Sequence, residues 1–507
     1  MAATRCGRVR NSPPADRHDG AWPLYVFSIA ISNGFNLMEG RAAVASAMAR
    51  ETATTERGPP DHLKTCAQNA HNLRRNGLST ENDLVQRVRS FGMTLPIRVA
   101  PIDQRWQCHG CGRCCRGTII SLGTEDRQRL AEQHWEEQPE FSGKRIVARH
   151  GLLRRQYHLA KNKDGTCIFL EPDGLCRIHK QYGLEAKPLV CQMFPFQLVP
   201  LENFAYVTLR RYCPSAAADD GQPLEEYLDD IRRMAAAGNL AARPAAPPEV
   251  VRGQGRSWHF ALRTADVLER LMLDQRYPPV RRVVHAINFC DLLDQCRLGR
   301  LSREKFASLL SMLEQGAAAD AASLFETRRP PRSISGLLFR QIALEYLRLH
   351  PRMVVESSWL ERWRVIRAAA AFARGKGSLP FLHKCFPQTT FEALEQPLGA
   401  LAPSVLRPLA TYLEAAAASR QYMLLCRYGW SVVEAFRAVA LGTAIAMWML
   451  RLGCPDRTPE PQDMIDVVGA LDRATGYGPL VGARHRWRVT SLSRLRQIAP
   501  LVAWYAR

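Results

Sequence analysis

Eight of the fifteen cysteines lie between Cys108 and Cys213, about a fifth of the 507 residues. The run opens Cys108-His-Gly-Cys111-Gly-Arg-Cys114-Cys115, three thiols at overlapping Cys-x-x-Cys spacing with a fourth adjacent. It continues with Cys167, Cys176, Cys191 and Cys213. A Cys-x-x-Cys loop turns two sulfurs toward one point, and Gly110 and Gly112 supply the positive φ that such wrapping needs. Thiols gathered in this way chelate a thiophilic metal. Arg113 and Arg116 are placed to offset accumulated thiolate charge. The overlapping spacing is the front half of a ferredoxin-type iron–sulfur run, which ends in Cys-Pro, as Cys213-Pro214 ends this set. Four thiolates in any order also bind zinc. An iron–sulfur cluster is the expectation and zinc the alternative; idle buried thiols or disulfides fit the clustered spacing poorly.

The eight thiols must also divide. Successive side chains of an extended backbone point to opposite sides. Cys114 is therefore expected to join Cys108 and Cys111, with Cys213 as fourth ligand. Cys115 then faces a second group with Cys167, Cys176 and Cys191. The competing arrangement is one four-ligand site with four thiols packed around it. His109 and His179 are expected at the surface or behind the ligands. Asp103, Glu171, Asp173 and Glu185 read as solvated loop carboxylates.

These residues resemble the YkgJ-type cysteine-cluster family, whose domain is described as zinc- or iron-chelating with eight characteristic cysteines. The resemblance spans about residues 104 to 215. It rests on the front four cysteines, Cys167-Ile-Phe-Leu, Cys176-Arg-Ile-His179, Lys187-Pro188-Leu-Val-Cys191-Gln-Met-Phe194-Pro195-Phe196 and Cys213-Pro214. Many members carry Arg-Pro where this chain has Lys187-Pro188. The layout, a cysteine-rich front before a long helical half, is also similar to flagellin lysine-N-methylases, although their front cysteine spacing is looser. That similarity implies protein methyltransfer from S-adenosylmethionine as the alternative function.

The elements that position the thiols are short. Thr124 to about Trp135 reads as a helix with Thr124 as N-cap and Glu125 and Asp126 in its first turn. Arg154 to Leu159 reads as a strand, Asn162 to Gly165 as its turn and Cys167 to Leu170 as a second strand. Leu175 to Tyr182 should be helical, presenting Cys176 and His179 and stopped by Gly183, and Asn203 to Arg210 a strand leading to Cys213. Leu224 to Ala237 reads as a helix. Apolar residues then recur at helical spacing over 260–273, 280–298, 303–313, 336–349, 358–372, 405–418 and 463–471. Within the apolar segment 422–452 the uncharged part, Ala438 to Leu450, is shorter than a bilayer span, so a buried core helix is expected and no transmembrane segment. The basic end, Arg484 to Arg507, reads as a surface amphipathic helix.

The fold expected is α+β: a small loop-rich metal-binding domain at 104–237, a linker at 238–249 and a large all-α domain at 250–507 able to stand alone. Residues 1–95 read as a poorly ordered leader, with a short helix over 83–91. The net charge of +21 comes from sixty Arg and nine Lys. The arginines are spread along the chain, so no clear nucleic-acid site follows from the charge. Cys6, Cys66, Cys290, Cys296, Cys385, Cys426 and Cys454 are ungrouped. Metal-type spacing with a scattered remainder suits a reducing, cytoplasmic setting. No phosphate-binding loop, dinucleotide fingerprint, nucleophile elbow or radical Cys-x-x-x-Cys-x-x-Cys spacing is present. The function expected is metal binding at a structural or redox-responsive site, with the helical half a scaffold for a protein partner.

Overall fold

The structure, a computed structural model, describes residues 95–150, 156–240, 245–299, 301–319, 321–351, 359–383, 385–476 and 478–507. The expected leader and its 83–91 helix, with Cys6 and Cys66, lie outside them. A small strand-containing region with loops precedes a large helical one, as the pattern of the chain implied.

Seven short strands build the first region: β1 Ile97–Val99, β2 Arg105–Trp106, β3 Val147–His150, β4 Gln156–Leu159, β5 Phe196–Pro200, β6 Ala205–Leu209 and β7 Gln222–Pro223. β6 is central to a three-stranded sheet, parallel to β1 and antiparallel to β5. β2 pairs β7, and β3 pairs β4. The second strand expected at Cys167–Leu170 is absent. Leu170 N–H turns back to the Cys167 carbonyl at 3.0 Å, leaving only isolated bridges, Lys161 with Cys167 and Leu170 with Cys176. β4 takes β3 as partner instead. The helix at Thr124 ends at Ala131, and its N-cap is Gly123, whose N–H is held by Asp126 at 3.1 Å. Gly183 stops the helix Arg177–Tyr182 as expected, at φ 84°.

The helical half is organised on Val432–Gly453, a 22-residue helix opened by a reciprocal cap between Ser431 and Glu434. By length and composition alone it could cross a bilayer, but 94% of its most apolar window is buried, as expected of a core helix. Its flanking charges are structural. Arg437 holds Asp291 at 2.5 Å and Asp294 at 3.0 Å, and Arg451 donates to the carbonyls of Gln396, Tyr505 and Arg507. The basic end is two helices, Ala483–Arg494 and Ile498–Tyr505, rather than one surface helix. The second is packed inside, with Tyr505 stacked on Phe339.

The two regions share a core. Val199, Leu201 and Ala217 belong to the same apolar cluster as Val432 and Val468. Residues of the expected linker lie on the helical half, where Val432 N–H donates to the Glu249 carbonyl and Trp258 to that of Ala245. The junction is polar at its centre. On the helix Pro461–Ala474, Asp466, Gly469 and Asp472 recur at i, i+3 and i+6 on one face. Asp472 accepts from Arg210 at 2.8 Å and from Tyr212 N–H at 3.2 Å, and Tyr212 packs on Gly469. Breaking a buried pair by removing one partner costs about 3–5 kcal/mol. Asp472→Ala should lower the free energy of unfolding by about that amount. Urea unfolding followed by tryptophan fluorescence measures it, and the shared core should make both halves unfold in one transition.

Candidate metal centre

The front loop is laid down by contacts to a later segment. Arg105 N–H donates to Asp219 at 3.0 Å, Gln107 N–H to Ser215 Oγ at 3.2 Å, and His109 Nε2 meets Asp220 at 3.0 Å. Gly221, at φ 121°, lies so close under the Trp106–Gln107 peptide that a Cβ there would collide with it. The loop then crosses the Glu171–Leu175 turn, where Gly110 and Gly174 approach backbone to backbone. That turn is not bare loop. Glu171 binds Arg177 at 2.9 Å and, with Asp173, Lys180, so two of the four loop carboxylates brace the floor of the site.

Gly112 leads into a single 3-10 turn, Arg113–Cys115, closed by Cys115 N–H on the Gly112 carbonyl at 3.0 Å. The turn overrides the alternation expected of an extended chain. The Cys114 and Cys115 sulfurs lie 3.9 Å apart instead of pointing to opposite sides.

Around this pair stand Cys167, Cys176 and Cys191. Cys167 N–H donates to the Cys115 carbonyl at 2.8 Å. Cys176 is the N-cap of Arg177–Tyr182, and Cys191 rides on the helix Leu189–Met193, anchored by Leu189 N–H on Asp126 at 2.9 Å. Cys167 is part of a small core with Trp135, Phe141 and Phe169, against which Cys115, Cys176 and Cys191 pack. Burial pushes the Cys167 thiol up to about 12, with Cys176 and Cys114 adding to the rise. Cys114 is raised first by its hydrogen bond with Cys115, then by burial. Burial also raises Cys191, while Lys187 opposes the rise. The cations acting on these thiols are Lys187, on Cys114 and Cys191, and Lys161, on Cys167. Arg113, expected in that role, instead pairs with Asp466 at 2.6 Å.

Cys213 sits apart, in a second core with Met193, Phe196, Val207 and Leu209. Trp106 Nε1–H donates to its sulfur at 3.4 Å. Burial lifts Cys213 to about 11, opposed by backbone N–H of Ala216 and by Trp106, and raised further by Cys111. Cys108 and Cys111 are exposed, and Cys108 acts electrostatically on Tyr227, whose hydroxyl donates to the Trp106 carbonyl at 2.9 Å. His109 and His179 are both exposed. Trp106, Tyr212 and Tyr227 were not singled out by spacing. Their positions depend on contacts a hundred or more residues away, although Trp106 and Tyr212 each stand next to a cysteine-bearing segment.

None of the thirteen described cysteines is in a disulfide. Among the described residues no three His, Cys, Asp or Glu side chains converge as ligands of one ion. The donor set nevertheless fits a thiophilic metal. Several thiols are packed where burial disfavours their charged form, and a bound cation reverses that preference by deprotonating coordinated sulfur.

Residues 107–214 match a family model described as "CxxCxxCC: Putative zinc- or iron-chelating domain". The match supports metal binding by this segment. The "Uncharacterized protein MJ0939" of Methanocaldococcus jannaschii is 31% identical over 114 residues, covering 21% of this chain and 36% of that protein. The chain thus spans about a third of the relative's length. No solved structure matches the chain.

Exposure and burial order the thiols by reactivity. Thiolate is the reacting form, so thiols raised to about 11 or 12 stay protonated at neutral pH. With metal removed, the fastest phase of an aromatic disulfide titration should shrink by two thiols in C108S/C111S and persist in Cys213→Ser.

Proposed function

We propose that this protein is a thiolate metal-binding protein whose centre cross-links the small domain and seats it on the helical half. The observation that carries this reading is the meeting of Cys114 and Cys115, 3.9 Å apart, with Cys167, Cys176 and Cys191 around one small core. Ligands of a single zinc ion lie about 3.5–4 Å apart in a tetrahedron of Zn–S bonds near 2.3 Å. Ligands of a cubane each bind a different iron and lie on the order of 6 Å apart. The adjacent pair therefore favours one ion, zinc or mononuclear iron, at the inner thiols. The overlapping spacing of Cys108, Cys111 and Cys114 supports the second reading, an iron–sulfur cluster.

Bound metal would be held by cysteine sulfur, with Lys187 balancing charge and backbone N–H groups steadying the sulfurs. Metal binding to such a loop-rich domain is coupled to its folding. The scaffold role of the helical half rests on its packing. Two cavities among the described residues are about 20 Å³, beside Tyr346 and His485, and about 10 Å³, beside Tyr422. Each has room for about one water. Neither of these two cavities would hold S-adenosylmethionine.

Protein purified without oxygen should carry stoichiometric zinc or iron without acid-labile sulfide. A brown preparation with sulfide and a broad band near about 400 nm would replace the single-ion reading by the cluster. Metal-free protein would end both. Calorimetry with S-adenosylmethionine, up to about 1 mM, should give no binding heat.

A further inference from the structure

The Cys114 and Cys115 sulfurs stand side by side on a single 3-10 turn, whose i to i+3 hydrogen bonds have poor geometry and give it little stability of its own. Its carbonyls are held from outside. The Tyr212 hydroxyl lies 3.4 Å from the Arg113 carbonyl and 3.1 Å from that of Arg116, so it brackets the two cysteines between them. The Arg473 guanidinium stands 4.8 Å over the Tyr212 ring. It donates to the Gly117 carbonyl at 3.3 Å and, from its other nitrogen, to that of Leu349 at 3.2 Å. Asp466 takes the Arg113 side chain at 2.6 Å. Asp466, Gly469 and Arg473 recur at i, i+3 and i+7 on one face of the helix Pro461–Ala474, and Tyr212 packs on Gly469.

Groups behind the ligands fix ligand orientation and tune metal affinity. Resting on the chelation reading above, we propose that Tyr212 and Arg473 are positioning residues for the metal. Neither touches it. They lock the backbone from Arg113 to Gly117 in the turned form, so the affinity of the Cys114 and Cys115 pair is set from one face of the helix Pro461–Ala474. Without the two donors that backbone relaxes toward the extended form, in which successive side chains point to opposite sides. Binding must then order the turn as well as bind the sulfurs, and the cost of ordering is taken from the affinity. The coupling is reciprocal: bound metal strengthens the contacts of Tyr212 and Arg473 by the factor that those contacts add to its affinity.

The test uses the full chain, purified without oxygen and stripped of metal. It is titrated with Zn²⁺ and, separately, with Fe²⁺ against a chromogenic chelator of each, and its melting temperature is read with and without metal. Tyr212→Phe keeps the ring and removes only the hydroxyl; it should weaken the tightest-bound ion by about tenfold to a hundredfold. Arg473→Met should do the same, and Arg473→Lys, which keeps a cation and a donor, should recover most of the loss. In Tyr212→Phe and Arg473→Met the rise in melting temperature on adding metal should be smaller than in the wild type. Wild-type affinity in both variants overturns the positioning role, whatever their melting temperatures, and leaves chelation standing. Arg473→Lys as weak as Arg473→Met overturns it for Arg473. A wild-type chain that takes up neither ion overturns chelation itself.

Discussion

The carboxylate of Asp472, wholly inside the protein, is the contact on which the arrangement of the metal loop depends. It takes Arg210 through one oxygen, and the same oxygen accepts the N–H of Tyr212. Gln421, itself bonded to Gln197, reaches the other oxygen at 3.4 Å. Charges this deep are tolerated only when paired and hydrogen-bonded. The stretch Arg210–Cys213 is thus pinned from the helical half. From there the Tyr212 hydroxyl donates to the carbonyls of Arg113 and Arg116, and Arg473 donates to that of Gly117 at 3.3 Å. The backbone of the Cys-x-x-Cys-x-x-Cys-Cys run is held at its far end by one face of one helix.

The thiols themselves supply little cohesion without a cation. A buried thiol is a small apolar group, and the rise of Cys167, Cys191 and Cys213 above ordinary thiols is the cost of turning it into a thiolate there. Lys187 offsets part of that cost for Cys114 and Cys191. Its backbone is fixed by Arg129 and Gln192 on its carbonyl, so the loop holds a cation in place while its side chain stays half-buried. Arg113 is directed away, and its pairing with Asp466 turns a residue of the chelating loop into a bond between the two halves. The chelating loop and the seating of the helical half therefore share the same few residues.

Spacing alone identified the chelating segment, because ligands that wrap one centre must sit a few residues apart with glycine between them. Helical periodicity located most of the second half, since a 3.6-residue repeat of apolar side chains is a local property. The same reasoning neither placed the Cys114 and Cys115 sulfurs side by side nor separated Cys167–Leu170 from a strand. In both places a turn of three or four residues, stabilised by distant packing, replaced the extended backbone that local composition suggests. The charged ends of Val432–Gly453 were read as flanks, and only their partners Asp291, Asp294 and the carboxyl-terminal carbonyls made them core residues.

By itself, then, the sequence determined most element classes, the cysteine segment that matches a zinc- or iron-chelating family model and the glycines that let the loop wrap. Tertiary structure alone decided which sulfurs are neighbours, which cation faces them and how the small domain is joined to the helical one. Those are relations between residues up to three hundred and fifty or so positions apart, as in Arg113 with Asp466 and Arg473 with Gly117. A buried charge selects its partner by geometry and desolvation, and neither leaves a periodic trace along the chain.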